Sequence, residues 1–267
     1  MERKPVVAGR FYSGTKSALE KELRRFLHSE EQPRKVLAVI APHAGYIYSG
    51  AVAGATFASA IIPERCIVLS PNHTGMGRPA AVWASGSWEI PTGKIPVDEA
   101  LAAKLVARSP ELVEDASAHL QEHSLEVELP FLLARQPGLR IVPITLSQIS
   151  ATSCRKIGEA IADVLSDEGG DILIVASTDM NHYEDQTRTL AKDKLAIDRV
   201  LALDAEGLIS TCGENRISMC GVVPTAVAIA AAKRLGAKKA SLIEHKTSGD
   251  ISGDYDAVVG YAGFLIE

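Results

Sequence analysis

The chain has 267 residues, of which 46% are hydrophobic and 23% are charged, and its formal net charge is −5 at pH 7. This composition is typical of a globular protein with a sizeable core, and it lacks the basic stripe of a nucleic-acid-binding protein. The amino terminus shows no signal-peptide pattern, and no window reaches the roughly 18 apolar residues that a membrane span requires. We therefore expect a cytoplasmic protein that binds neither nucleic acid nor a membrane.

Short β-branched runs alternate along the chain with longer segments of helical periodicity. In chain order, the pattern predicts a strand at 36–41, a helix at 49–61, a strand at 65–70, an extended segment at 82–90, helices at 98–108 and 125–136, a strand at 139–146, a helix at 150–166, a strand at 171–177, helices at 185–203, 204–210 and 221–235, and strands at 239–246 and 256–266. We expect Pro130 to kink or restart its helix and Ser150 to cap the next one.

This alternation predicts an α/β fold, a three-layer sandwich in which a central, mostly parallel sheet is flanked by helices. The sequence contains no internal repeat, no low-complexity tract and no linker. We therefore expect a single domain over residues 1–267.

Four histidines lie in polar or glycine-rich stretches next to predicted elements, namely His43, His73, His123 and His182. Three of these stretches directly follow a β-branched run; the exception is the one that contains His123. In α/β proteins, ligands bind at the carboxyl ends of the strands. The pattern therefore indicates a metal site or an acid–base site at that edge of the sheet.

His43 and His73 come just after two predicted strands. Histidines on neighbouring strand ends are able to bind one metal ion through neutral imidazoles. The alternative interpretation is that each is a loop histidine that hydrogen-bonds a turn.

Asp179 precedes His182 by three residues, again after a strand. A carboxylate beside an imidazole favours its protonated form, which suits general acid–base chemistry. Alternatively, Asp179 caps a helix and His182 is a surface residue. His123 opens a predicted helix, where polar residues are common in any case, but from there it is also able to contact a substrate.

Cys220 precedes the predicted helix at 221–235. A helix amino terminus lowers the pKa of a thiol, so Cys220 is a candidate metal ligand or nucleophile, and the alternative is a buried small apolar residue. The other cysteines are Cys66, Cys154 and Cys212. The four form no CxxC pair and predict free thiols without a disulfide framework.

Five motifs occur in a fixed order: Ala-Pro-His-Ala-Gly-Tyr at 41–46, Ser-Pro-Asn-His at 70–73, Glu-His-Ser-Leu-Glu-Val-Glu-Leu-Pro-Phe at 122–131, Ser-Thr-Asp-Met-Asn-His-Tyr at 177–183 and Cys-Gly at 220–221. In this order and spacing they resemble the Memo family (mediator of cell motility), whose prokaryotic members are called AmmeMemoRadiSam system protein B. The resemblance extends over nearly the whole chain.

That family is similar to the class III extradiol (LigB-type) dioxygenases, in which two histidines and a glutamate hold non-haem Fe(II). The resemblance places metal ligands on His43, His73 and Cys220. Because Cys220 replaces a carboxylate, the ligand set is softer and is suited to Fe(II) or Cu, with Zn as a further option. The resemblance also assigns an acid–base role to His182, a substrate contact to His123, and a place in the same site to Asp179.

Three functions follow as hypotheses. The first is a metal-dependent oxidoreductase, similar to a dioxygenase, that acts on a small oxidisable substrate. The second is a non-catalytic protein whose pocket binds a phosphopeptide or another anionic ligand. The third is a thiol enzyme with Cys220 as its nucleophile. The prokaryotic family name further implies a functional link to a radical-SAM enzyme and an AMMECR-type protein.

Overall fold

The computed structural model describes residues 1–29 and 32–267, and in it strands and helices alternate along the chain. The strands are β1 (Glu2–Arg3), β2 (Ala38–Ala41), β3 (Arg65–Pro71), β4 (Ala80–Val82), β5 (Ser87–Ile90), β6 (Gly93–Pro96), β7 (Val113–Glu114), β8 (Arg140–Leu146), β9 (Ile172–Ser177), β10 (His182–Glu184), β11 (Ala240–Thr247) and β12 (Val258–Ile266). The helices are α1 (Lys16–Phe26), α2 (Tyr46–Ala58), α3 (Glu99–Arg108), α4 (Ser124–Arg135), α5 (Ala151–Glu168), α6 (Gln186–Leu201), α7 (Ala205–Glu214), α8 (Val222–Arg234) and α9 (Gly249–Ser252).

The main sheet has the strand order β10-β12-β2-β9-β3-β8-β4-β7. In addition, β11 pairs antiparallel with β12. The strands β2, β9, β3 and β8 are parallel neighbours, whereas β12 and β4 are antiparallel to the strands they flank. The sheet is therefore mixed, and the prediction of a mostly parallel sheet holds only for its centre. One reason is that the connection through α9 joins β11 to β12 and is too short for a parallel crossover.

Hydrophobic side chains cover both faces of this sheet, since all of β2 and β9 is buried. Alternate residues of a strand point to opposite faces. Ala38 and Ile40 accordingly join one apolar cluster with α5 and α8, while Val39 and Ala41 join another with α2 and α4. Helices therefore pack on both sides of the sheet.

Small residues allow α5 and α8 to pack closely. A Cβ atom on Gly158 would lie 2.7 Å from the Cβ of Ala230 and 2.9 Å from the carbonyl oxygen of Val227. An alanine at position 158 would clash with both neighbours, so the alanine-rich character of α8 reflects contact with another helix as well as with the sheet.

The prediction of one extended segment at 82–90 was wrong. It is divided between β4, in the main sheet, and β5, which belongs to a separate sheet of order β1-β5-β6. The chain turns at Gly86, whose φ of 87° is a conformation that favours glycine. The turn contains only one glycine and no proline, so local sequence gives little warning of it.

Two predictions about helices, a cap at Ser150 and a kink or restart at Pro130, had different outcomes. The Ser150 cap is confirmed, because its hydroxyl accepts a hydrogen bond from the Ser153 N–H at 3.0 Å. The helix does not restart at Pro130, because α4 continues through this residue as one helix. The residues from Ser124 to Leu132 are all buried, so packing on every side holds this helix together.

A buried ion pair connects the amino-terminal segment to α4. Arg3 Nη1 lies 2.7 Å from Glu126 Oε2, and both side chains are almost completely buried. Arg3 also donates to the carbonyl oxygens of His119 and Glu122. With the Lys4 carbonyl oxygen at 3.5 Å, the guanidinium group is thus matched by four acceptors, which compensates for its removal from water.

Within the described ranges, no helix combines the length and the apolar character needed to cross a membrane.

Candidate metal centre

The predicted site residues lie at the carboxyl edge of the central parallel strands. His43 follows β2 and His73 follows β3, but these strands are not adjacent, because β9 lies between them. The expectation of neighbouring strand ends was therefore wrong. The insertion of β9 instead brings Asp179, which follows that strand, beside the loop after β2, where its carboxylate accepts a hydrogen bond from the His43 N–H.

The His43 imidazole is buried and held by its Nδ1 atom, which lies 2.8 Å from the hydroxyl of Ser177. Its Nε2 atom faces the thiol of Cys220 at 3.4 Å. Burial, reinforced by the nearby His123 and His73, holds the pKa of His43 well below its ordinary value. The ring is therefore neutral at pH 7, which is the form that binds metals.

The His73 imidazole is held by Glu122. The Nδ1 atom lies 2.9 Å from one carboxylate oxygen, and the backbone N–H of His73 donates to the other at 2.5 Å. Burial alone would lower the pKa of His73, but the hydrogen bond and charge of Glu122 outweigh it and raise that pKa. Burial alone would likewise raise the pKa of Glu122, but hydrogen bonds from His73 and Ser124 lower it to about 2. Glu122 is therefore a permanent anion behind His73.

Cys220 lies just before α8, as expected, with its thiol beside the His43 ring. The backbone N–H of Asp179 donates to the sulfur at 3.2 Å. Burial and the charge of Asp179 raise the pKa of Cys220, so the helix amino terminus does not create a free thiolate, contrary to the sequence-based expectation. The following residue has to be glycine, because a Cβ on Gly221 would lie 2.3 Å from the Ser177 carbonyl oxygen.

His43, His73 and Cys220 form a group that is able to hold a metal ion, with one donor atom from each residue and all donors within 4.8 Å of one another. The His43 and His73 rings are 5.3 Å apart between centroids. In both rings, hydrogen bonding at Nδ1 leaves Nε2 available as a ligand. The three residues predicted as ligands are thus brought together.

His182 and Asp179 lie on the other side of Cys220, and these three residues form a second group with donor atoms within 4.8 Å. His182 donates from Nδ1 to the Ser218 carbonyl at 2.9 Å, which leaves its Nε2 atom free. Asp179 accepts hydrogen bonds from the backbone N–H groups of His43 and Ala44. Ser218 therefore orients His182, while Asp179 holds the loop after β2.

Asp179 carries an unusual pKa for an aspartate. Burial raises the pKa of Asp179 to about 6, although His182, hydrogen bonds from two backbone N–H groups and His73 act in the opposite direction. The residue is mostly ionised at pH 7, at a cost in stability.

His123 lies beside His73 on the same surface. Its ring stacks on His73 with centroids 4.8 Å apart and lies 4.8 Å from the Phe11 ring. Burial lowers the pKa of His123, so the ring is neutral at pH 7.

All six predicted residues line one pocket of about 760 Å³. Aromatic side chains form much of the remaining wall, namely Phe11, Tyr48, Tyr183 and Tyr261. The volume suits a small organic molecule.

Sequence reasoning missed the residues that hold the histidines in place, namely Glu122, Ser177 and Ser218. Each lies in or next to a motif that was noted, but its partner is distant in sequence, such as Glu122 and His73, which are 49 residues apart. The one available signal is the presence of polar residues at the ends of buried elements. Cys66, Cys154 and Cys212 are buried outside this site, in agreement with their prediction as free thiols.

The fold and the site together define an α/β protein with a His/His/Cys cluster at the carboxyl edge of its sheet. Residues 3–265 match the family described as Memo-like protein. The chain belongs to this family, and the predicted resemblance is confirmed.

Several MEMO1 family proteins are similar along nearly their full length. The protein from Methanopyrus kandleri is 39% identical, with 99% of each chain covered. The one from Aquifex aeolicus is 40% identical, with 98% of each covered, and the one from Thermotoga maritima is 37% identical, with 100% of each covered. An uncharacterized protein from Escherichia coli K12 has a similar fold, with a TM-score of 0.56 and 15% identity over 86% of this chain and 100% of that chain.

Proposed function

We propose that this protein binds one redox-active transition metal, iron or copper, through His43, His73 and Cys220. The observation that carries the proposal is the convergence of two imidazoles, each held at Nδ1, on one thiol. Ligands at ordinary Zn–N and Zn–S bond lengths and a tetrahedral angle are about 3.6 Å apart. The 3.4 Å between His43 Nε2 and Cys220 Sγ is compatible with that spacing.

The chemistry of the donors supports iron, copper or zinc over magnesium or calcium, which prefer oxygen ligands. Metal binding requires the thiolate, so the raised pKa of Cys220 predicts that uptake releases a proton. When bound, iron or copper would supply electron transfer to or from a small oxidisable molecule. We accordingly propose an oxidoreductase built on a single three-layer domain, 1–267, of the class III extradiol dioxygenase type.

The surrounding residues have separate roles in this proposal. His182 accepts and returns a substrate proton at Nε2, since its Nδ1 is already committed to Ser218. Asp179 supplies a negative charge beside that histidine. His123 and Phe11, whose rings are in contact at the pocket wall, contact the substrate.

The test is metal content, measured by mass spectrometry on protein purified without oxygen and reconstituted with Fe(II) or Cu(I). We expect about one ion per chain in the wild type and in the control variant Cys154→Ser, and loss of the ion in Cys220→Ser and His73→Ala. Absence of metal from the wild type after reconstitution would overturn the proposal. The same pocket would then be examined for binding of an anionic peptide, and Cys220 for alkylation as a nucleophile.

Removal of the negative charge behind His73 is expected to weaken metal binding. In Glu122→Gln the carboxylate no longer stabilises the imidazole or raises its basicity, and such partners of metal-binding histidines typically contribute 10–100-fold in affinity. We expect a loss of this size in competition titrations against a chelator. Glu159→Gln, at a partly exposed position on α5 outside the pocket, is the matched control, and equal affinity in the two variants would contradict the role of Glu122.

A further inference from the structure

Glu128 is a buried carboxyl group that the proposed chemistry does not use. It lies in the middle of α4, is completely buried, and contacts the Ser177 hydroxyl through Oε1 at 2.6 Å. Among the described residues its other oxygen, Oε2, has no hydrogen-bond partner. A group this costly to bury has to be compensated by its one contact or serve the site above it.

The Ser177 hydroxyl is the centre of three short contacts. Its oxygen lies 2.8 Å from His43 Nδ1, 3.0 Å from the Ser124 carbonyl oxygen and 2.6 Å from Glu128 Oε1. A hydroxyl has one proton to donate and two lone pairs to accept with. The Ser124 carbonyl only accepts, so the Ser177 proton is directed there if all three contacts are hydrogen bonds.

Counting protons determines the other two contacts. With the Ser177 proton on the Ser124 carbonyl, His43 has to donate from Nδ1, and Glu128 has to donate from a protonated oxygen. If Glu128 were ionised, no proton would lie between the Ser177 hydroxyl oxygen and Glu128 Oε1, and their lone pairs would repel each other. If His43 carried its proton on Nε2 instead, the contact between His43 Nδ1 and the Ser177 hydroxyl oxygen would lack a proton.

We propose that Glu128 is a neutral carboxyl group that positions His43 through Ser177, fixing the tautomer in which Nε2 faces Cys220. The proposal extends the metal site of the previous section to a group that touches neither metal nor substrate. Burial, opposed only by Ser177, raises the pKa of Glu128 well above its ordinary value, in agreement with the neutral form.

The tautomer is measured directly on metal-free protein labelled with ¹⁵N-histidine, by long-range ¹H–¹⁵N NMR, with His43→Gln used to assign the signal. We expect the Nδ1–H form of His43 in the wild type. We expect it to persist in Glu128→Gln, because the amide N–H replaces the carboxyl O–H as donor. It should be lost in Ser177→Ala, which removes the acceptor of the Nδ1 proton.

Metal affinity gives a second measurement on the same variants, together with Glu128→Met, which has no donor and lets the Ser177 hydroxyl rotate. We expect affinity for Fe(II) or Cu(I) within threefold of wild type in Glu128→Gln and a loss of roughly tenfold or more in Glu128→Met and Ser177→Ala. A loss in Glu128→Gln equal to that in Glu128→Met would show that the carboxylate is the active form and overturn the proposal, and so would full affinity in Glu128→Met.

The two proposals fail separately. If the wild type binds no metal, the function proposed above is wrong, whereas the NMR experiment still decides the tautomer. If the wild type binds metal but His43 carries its proton on Nε2, the metal site stands and the role of Glu128 is wrong.

Discussion

Replacing Arg3 with methionine is expected to lower the free energy of unfolding by about 3–5 kcal/mol, because the change leaves the carboxylate of Glu126 buried without its cation. Glu126 is fully buried and also accepts hydrogen bonds from the backbone N–H groups of Val6 and Val7 and from the Tyr12 hydroxyl. These contacts fasten the segment that carries Phe11 to the wall of the pocket. The effect is measured by urea denaturation of the metal-free protein.

Two variants make this test specific. Lys4→Met breaks exposed ion pairs with Glu2 and Glu89 and should leave the denaturation midpoint nearly unchanged. The double variant Arg3→Met/Glu126→Gln removes both charges, keeps an amide oxygen as acceptor for the donors that contact position 126, and should recover part of the loss, since no lone charge remains buried. If Arg3→Met behaves like Lys4→Met, the buried pair does not stabilise the fold.

Asp179→Asn is expected to make the metal-free protein more stable at pH 8, by up to about 3 kcal/mol, while weakening the site. Burial raises the pKa of Asp179 from 3.8 to about 6. A carboxyl group with a raised pKa destabilises the fold once it ionises. The penalty is absent below pH 3.8, grows between pH 3.8 and 6, and is complete above pH 6. Asparagine keeps the acceptor for the His43 N–H but never carries the charge.

The measurement is urea denaturation with a chelator present, at pH 8 and at pH 4, for the wild type, Asp179→Asn and the exposed control Asp198→Asn. Most of the gain should disappear at pH 4, where the wild-type carboxyl group is largely protonated. An equal gain at both values would mean that the charge is not its cause. The expected pairing of higher stability with weaker metal binding is typical of residues kept for function.

The convergence of the candidate residues could be predicted from the sequence to a large extent, because side chains that follow parallel strands are confined to one edge of the sheet. His43, His73, His182 and Cys220 converge as expected. The pKa of Cys220 was not predictable in this way. Local sequence suggested a lowered value, whereas burial beside Asp179 raises it.

Local sequence could not predict hydrogen bonds between residues that meet only through tertiary packing. Ser177 contacts Glu128 across 49 positions, and no periodicity indicates that the two meet. The antiparallel flanks of the sheet are a further example, because strand direction depends on the path of the connecting chain. The division of the segment at 82–90 follows from the turn at Gly86, which is a single residue in an otherwise strand-like run.

The position of β9 between β2 and β3 has a consequence for biosynthesis. His43 and His73 emerge from the ribosome early, but the strand that belongs between theirs is made about a hundred residues later, and Cys220 later still. Pairing across such separations is slow and comes late in folding. A nascent chain therefore cannot bring His43, His73 and Cys220 together until its synthesis has passed Cys220, and the metal binding proposed above would follow that point.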